Sequence, residues 1–349
     1  MLRTAIVGLG AVAEHHRRGI ERTPGARLVA VADTEPARLD RRATAWGVPG
    51  YPDAEALLSA VSPDWVHLCT PARTHHELAL ACLEADTHVL VEKPFVMTTA
   101  EFEDVVGTAD ERDRRAAAVH NQVYYDPVWT ALRRLRAGEF GALHGVSVRW
   151  AEATDPAEPN RGDWVLDLPG GEFGEGIVHP IYVGLRFAGY PADEGAVAVH
   201  RIDATDTGLS YDGIAVSFHT ADGTTCTIQH HSNVPDQRRI DLVAEDAHVT
   251  VDVATQSVTV QRHSFGPNAP FERPLVRAGI AAVRRTAGTV ADAARRRIRA
   301  TITGDSMHDT HTPVVRREAR AVRDGGDGPT PRAEVQWATH VFERVNDVS

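Results

Sequence analysis

Thr4-Ala5-Ile6-Val7-Gly8-Leu9-Gly10-Ala11-Val12-Ala13 opens the stretch that decides the fold, and Leu28-Val29-Ala30-Val31-Ala32-Asp33 closes it. Thr4–Val7 reads as a short buried strand. Gly8–Ala13 is a G-x-G-x-x-A loop, a helix is expected from about Ala11 to Arg22, and Leu28–Ala32 is a second strand ending in an acid. This is a complete βαβ unit with a carboxylate about 20 residues past the loop, the arrangement of a dinucleotide-binding Rossmann fold. Gly8 permits the tight turn, Gly10 lets the backbone approach a pyrophosphate, and Ala13 lets the helix pack close to the strand. Ala11 and Val12 start the helix, whose free N–H groups suit phosphate oxygens. Asp33 is placed to accept hydrogen bonds from the adenosine ribose hydroxyls and to repel a 2′-phosphate. NAD is therefore expected in preference to NADP.

The alternation continues downstream. Asp64–Cys69 is an apolar strand leading into Thr70-Pro71. A helix follows over about Thr74–Ala85, then a strand at His88–Val91 that runs into Glu92-Lys93-Pro94. A helix near Thr99–Arg112 and a strand near Ala116–Val119 complete the pattern. Alternating strands and helices imply a parallel sheet covered on both faces. Ligands of such sheets lie at the carboxyl ends of the strands, where Gly8, Asp33, Thr70 and Lys93 should meet.

After about residue 122 the pattern changes to runs of strands: Gly145–Ala151, Ala196–Ile202, Gly213–Thr220, Thr224–His231, Arg239–Ala244, His248–Val253 and Ser257–Arg262. Ala221-Asp222-Gly223 marks a hairpin turn. The expected architecture is α/β: a Rossmann domain over 1–122, then an α+β domain over 123–349 built on an open, mainly antiparallel sheet. A last helix is expected over about Arg332–Asn346, free to pack back on the first domain.

Composition narrows the function. The 349 residues carry a formal charge of −11, which argues against nucleic acid as a partner. Three scattered cysteines form no framework and fit a reducing compartment, so a cytoplasmic protein is expected. The start is no signal peptide, and no apolar run approaches the roughly 20 residues of a membrane span. Of the 37 basic residues, Lys93 is the one lysine. Arginine cannot supply a compact, titratable ammonium, which weights Lys93 toward function. Arg273–Arg299 holds eight arginines and one acid, Asp292, with Val and Ile at helical spacing. It is expected to be a helix packing its apolar stripe on protein, with membrane contact unfavoured because large apolar anchors are missing.

The segments AIVGLGAVAEHH and TPARTHHELALACLEADTHVLVEKPF, and later LPGGEFGEGIVHPIY, resemble the glucose–fructose oxidoreductase / inositol dehydrogenase / rhizopine catabolism family, Gfo/Idh/MocA. The resemblance covers nearly the whole chain. It implies cofactor contacts from Thr70, Pro71, His75, Glu92 and Lys93. It places His179 on the family histidine and Glu175 on the family aspartate four residues earlier. Tyr182 stands where the family often has a further aspartate, and Pro180 follows His179, so a helix is expected to start there. The implied chemistry is NAD-dependent hydride transfer at a secondary hydroxyl or keto group of a sugar, cyclitol or sugar nucleotide. Lys93 would steady the substrate oxygen, His179 would act as acid/base, and Glu175 would orient it. Alternatives are an enzyme that retains NAD and oxidises its substrate transiently, as glycosidases or epimerases of the family do, and a regulator without turnover. The family also implies a homodimer or homotetramer. The pairs His15-His16, His75-His76 and His230-His231 each diverge on a helix or strand, and His308 with His311 completes no coordination sphere, so no metal is expected.

Overall fold

Short apolar strands bounded by glycine, proline or acid set the first layer of the structure, a computed structural model that describes residues 1–155, 163–203, 209–262 and 309–346. The elements of the first layer are β1 (Leu2–Val7), α1 (Ala13–Glu21), β2 (Ala26–Ala32), α2 (Pro36–Trp46), β3 (Gly50–Tyr51), α3 (Ala54–Val61), β4 (Trp65–Leu68), α4 (His75–Glu84), β5 (His88–Val91), α5 (Thr99–Glu111) and β6 (Ala116–Ala118). Their strands form one parallel sheet in the order β3-β2-β1-β4-β5-β6. All four residues of β4 are buried, as a central strand with helices on both faces requires.

Local chemistry fixes the helix ends. Asp53 accepts the Ala56 amide at 2.8 Å to start α3. Thr98 and Glu101 form a capping box on α5. Proline begins α2 and a left-handed Gly47 ends it. The sequence reading passed over α2, α3 and β3. No residue of α2 is buried and β3 is two residues long, so neither carries a strong periodic signal.

Two helices from the far end of the chain, His311–Asp324 and Arg332–Asn346, complete this unit. Met1–Asn121, Gly162–Leu168 and Thr310–Ser349 form one compact unit. The His311–Asp324 helix lies against α1 at Gly19, where an added Cβ would meet Val315 at 2.9 Å. Any side chain there would push the two helices apart. Buried polar pairs tie the returning segment to the sheet: His120 with Glu334 at 2.6 Å and Arg115 with Glu318 at 2.8 Å.

The second unit comprises Gln122–Arg161 and Pro169–Asp309. Its described elements are α6 (Asp126–Arg136), β7 (Leu143–Ala151), α7 (Gly171–Gly176), α8 (Val178–Ala188), β8 (Ala198–Ile202), β9 (Gly213–His219), β10 (Thr225–His231), β11 (Gln237–Ala244), β12 (Ala247–Asp252) and β13 (Ser257–Arg262). The sheet order is β13-β12-β11-β7-β10-β9-β8, antiparallel except for the β7/β10 pair. Cys226, Ile228 and His230 alternate inward along β10, beneath α8. Gly184 on α8 sits so close that an added Cβ would meet Ile228 at 3.0 Å. The β9/β10 hairpin turns at Gly223 with φ +87, which suits glycine. The basic segment Arg273–Arg299 lies outside the described residues.

Candidate active site

The carboxyl ends of the parallel strands bring the dinucleotide residues together. Gly8 leaves β1 with φ +85, and a Cβ there would meet the Cys69 carbonyl carbon at 2.7 Å and Thr70 Cγ2 at 2.8 Å. The end of β4 presses against the loop, so position 8 requires glycine on both conformational and steric grounds. A Cβ on Gly10 would meet nothing within 4 Å. Val12 opens α1 without a side-chain cap, which leaves the leading amides of α1 for an anionic ligand. An open glycine face beside an uncapped helix start fits a pyrophosphate.

Asp33, nearly buried at the end of β2, takes four hydrogen bonds. The amides of Leu9 and Glu35 donate at 2.7 and 2.8 Å, and Arg38 donates from Nε and Nη2 at 2.7 and 2.8 Å. Burial opposes its ionisation, but these donors outweigh burial and hold its pKa below the usual aspartate value. The Arg38 clamp was not foreseen from sequence.

Beyond β4, Thr74 Oγ1 donates to Thr70 Oγ1 at 2.8 Å and also reaches the Pro71 carbonyl. His75, the first residue of α4, is 1% exposed. Its Nδ1 is 2.8 Å from the carbonyl oxygen of Pro94 and its Nε2 is 2.9 Å from that of Thr70.

Beyond β5 lies Glu92-Lys93-Pro94, with a cis Lys93–Pro94 bond and both charged residues buried. Glu92 Oε1 faces His16 Nε2 at 2.8 Å and His311 Nε2 at 3.2 Å, and Oε2 accepts the Lys93 amide at 3.1 Å. Burial raises the Glu92 pKa, yet the two imidazole hydrogen bonds hold it well below the ordinary glutamate value. Burial depresses His16, against a raising contribution from Glu92, and burial drives His67 well below the ordinary imidazole value. Both rings are therefore neutral. His67 Nδ1 is 2.9 Å from His16 Nδ1, so protons run in one sense: His67 to His16, and His16 to Glu92. His15, on the surface, stacks on His311 with ring centroids 4.9 Å apart. The ligand atoms of His16, Glu92 and His311 lie within 4.8 Å of one another, a grouping that could hold an ion. No spacing rule points to this grouping, because His16 turns inward from the His15-His16 pair and meets partners from distant elements.

In the second unit, Glu175 lies in the last turn of α7 and His179 in the first turn of α8, both buried. Ile177, itself helical, links the two helices. The helix carrying His179 thus begins at Val178, two residues before Pro180, and a break separates it from Glu175. Tyr182 lies one turn beyond His179, with its hydroxyl 2.8 Å from His179 Nδ1 and accepting the Gln122 amide at 3.0 Å. A hydroxyl can donate to Nδ1 or accept from it, so it can hold either tautomer of the ring. Sequence reading had marked Tyr182 only as a departure from the family pattern. Tyr124 packs on Trp129, and the Tyr125 hydroxyl accepts from Arg238 at 3.0 Å.

Residues 2–120 match the oxidoreductase family with an NAD-binding Rossmann fold. The chain carries, over residues 2–120, the Rossmann domain of the Gfo/Idh/MocA family. It is an NAD-binding oxidoreductase. Among its relatives is a UDP-N-acetylglucosamine 3-dehydrogenase from Acidithiobacillus ferrooxidans, 27% identical over 280 residues, covering 78% of this chain and 81% of that protein. A D-glucoside 3-dehydrogenase from Escherichia coli is 38% identical over 110 residues, 31% of either chain. The fold is shared with the WlbA dehydrogenase from Bordetella pertussis, solved with NADH and UDP-GlcNAcA, at TM-score 0.76 and 17% identity over 99% of this chain and 96% of that one. Among the described residues no helix of the chain is long and apolar enough to cross a membrane.

Proposed function

We propose that this protein oxidises a secondary hydroxyl of a sugar, cyclitol or sugar nucleotide, or reduces the matching ketone, using NAD. One observation carries the reading: the relative whose match spans both units is named for dehydrogenation at the 3-position of a nucleotide sugar, and the second relative is named for the same position of a glucoside. NAD, when bound, would supply the hydride acceptor or donor.

The chain's own residues do the rest. Gly8, Gly10, Ala11, Val12 and the start of α1 hold the diphosphate, with Thr70, Pro71 and Glu92 bordering the cofactor. Lys93 steadies negative charge on the substrate oxygen, an interaction that strengthens as alkoxide develops. His179 moves the hydroxyl proton, since imidazole titrates near neutral pH. Tyr182 holds the His179 ring in either proton state. Glu175 orients or charge-balances this group. Among the described residues, His16 and His311 each meet Glu92 directly, at 2.8 and 3.2 Å, without calling on an ion. The protein works as a homodimer or homotetramer in the cytoplasm.

The test is a screen of inositols, aldoses, glucosides and sugar nucleotides with NAD and NADP, read by NADH absorbance. Stoichiometric NADH release with one class identifies the substrate. Conversion without released NADH identifies an enzyme that retains its cofactor instead.

A further inference from the structure

His75 poses a problem of proton accounting. Both of its ring nitrogens are at hydrogen-bond distance from carbonyl oxygens, Nδ1 from Pro94 and Nε2 from Thr70. A carbonyl oxygen only accepts. A neutral imidazole has one N–H and one lone pair, so one contact would set lone pair against lone pair in a site closed to water. Only the imidazolium satisfies both contacts.

We propose that His75 is held as an imidazolium and is a positioning residue for Lys93, donating from both nitrogens to the backbone on either side of the site. The role for Lys93 rests on the function proposed above. Thr70 follows β4, Pro94 follows β5, and the ring ties these two strand ends together. Lys93 lies between two anchored neighbours: His16 and His311 fix Glu92, and His75 fixes Pro94.

The surroundings were weighed for charge. The start of a helix disfavours a cation, and Glu77 in the first turn of α4 offsets this. The titratable and charged groups on the elements beside α4 are His67 and Cys69 on and after β4, His88, Glu92 and Lys93 on and after β5, Arg73 in the preceding turn, Glu55 on α3, and Glu101, Glu103, Asp104, Asp110 and Glu111 on α5. Of these, Asp104 is engaged by His76 at 2.7 Å. Burial pushes the Cys69 thiol well up, so it stays neutral, and Glu92 is the buried anion of the group.

The test uses nitrogen NMR of the histidine-labelled protein. At about pH 8, well above the ordinary imidazole value of about 6.5, one buried histidine should still show two protonated ring nitrogens. That signature should vanish in His75→Gln. The same variant should lose turnover by on the order of 10²-fold, as a misplaced catalytic group does. A lone-pair nitrogen on His75 at neutral pH overturns the proposal. So does normal kcat in His75→Gln when Lys93→Arg is inactive, because His75 would then be a structural brace alone. Normal turnover in Lys93→Arg overturns the function reading and takes the positioning role with it, whatever the NMR shows.

Discussion

Arg38 occupies the carboxylate of Asp33 with two parallel hydrogen bonds, Nε to Oδ2 at 2.7 Å and Nη2 to Oδ1 at 2.8 Å. With the Leu9 and Glu35 amides, this fills about four lone-pair sites, all that a carboxylate offers. A ribose hydroxyl can reach Asp33 only by displacing or sharing with Arg38.

We expect this pairing to set cofactor choice. In Asp33→Ser the guanidinium keeps only Glu35, at 3.0 Å, and becomes available to a 2′-phosphate. NADP affinity should rise by about tenfold, the scale of one charge-assisted hydrogen bond. In Arg38→Ala, Asp33 keeps only its two amide donors, so NADP should bind more weakly and NAD at least as well as in wild type. Calorimetry on both variants checks this, and unchanged NADP affinity in Asp33→Ser would remove Arg38 from the argument.

Replacing Lys93 by arginine keeps the charge but not the compact ammonium. Turnover should fall about 10²–10³-fold, typical for the loss of one contact to developing charge. NAD binding should survive, because the glycine loop and Asp33 lie on other strands. Steady-state kcat beside cofactor affinity separates the two effects.

Tyr182→Phe removes the hydroxyl that meets His179 Nδ1 and leaves the Gln122 amide without its acceptor. We expect kcat to drop about tenfold, within the range of general acid–base contributions, and the pH–rate profile to shift, since the ring loses a partner that serves both tautomers. A stability loss with an unmoved profile would reduce Tyr182 to packing.

His230 is fully buried, and neither ring nitrogen has a hydrogen-bond partner. Burial lowers its pKa to about 3, with Arg238 and His231 adding to the shift. The sign follows from the proton count. Below about pH 6.5 the unfolded chain protonates this ring and the folded chain does not, so stability falls as pH drops from there toward about 3. His16 and His67, also depressed, act in the same direction. His230→Leu should flatten this acid loss and raise stability at neutral pH by about 1 kcal/mol, the penalty of an unsatisfied buried polar group. Thermal unfolding across the pH range measures both.

Much of this was legible from residues alone, for identifiable reasons. The β5 strand, the glycine loop and the hairpin at Gly223 carry strong local signals: apolar runs bounded by turn residues, and a glycine at positive φ. The α2 helix has no buried face to read, and the two residues of β3 show no period. The Glu92 cluster draws on α1, β4 and a helix more than 200 residues away, a coincidence that no spacing rule encodes. Arg38 sits at the right separation from Asp33, but a surface arginine on a polar helix looks like any other.

The return of the chain after residue 309 has a consequence for synthesis. A ribosome finishes both sheets before it makes His311, Glu318 and Glu334, which answer Glu92, Arg115 and His120 in the first unit. The first unit therefore cannot mature in the order in which it is translated, since it waits with exposed polar groups and an uncovered face of α1 for the last stretch to emerge. A premature stop codon just before residue 310 would spare every strand of both sheets. It would nonetheless strip Glu92 of one of its two imidazoles and leave the nascent protein a target for proteolysis.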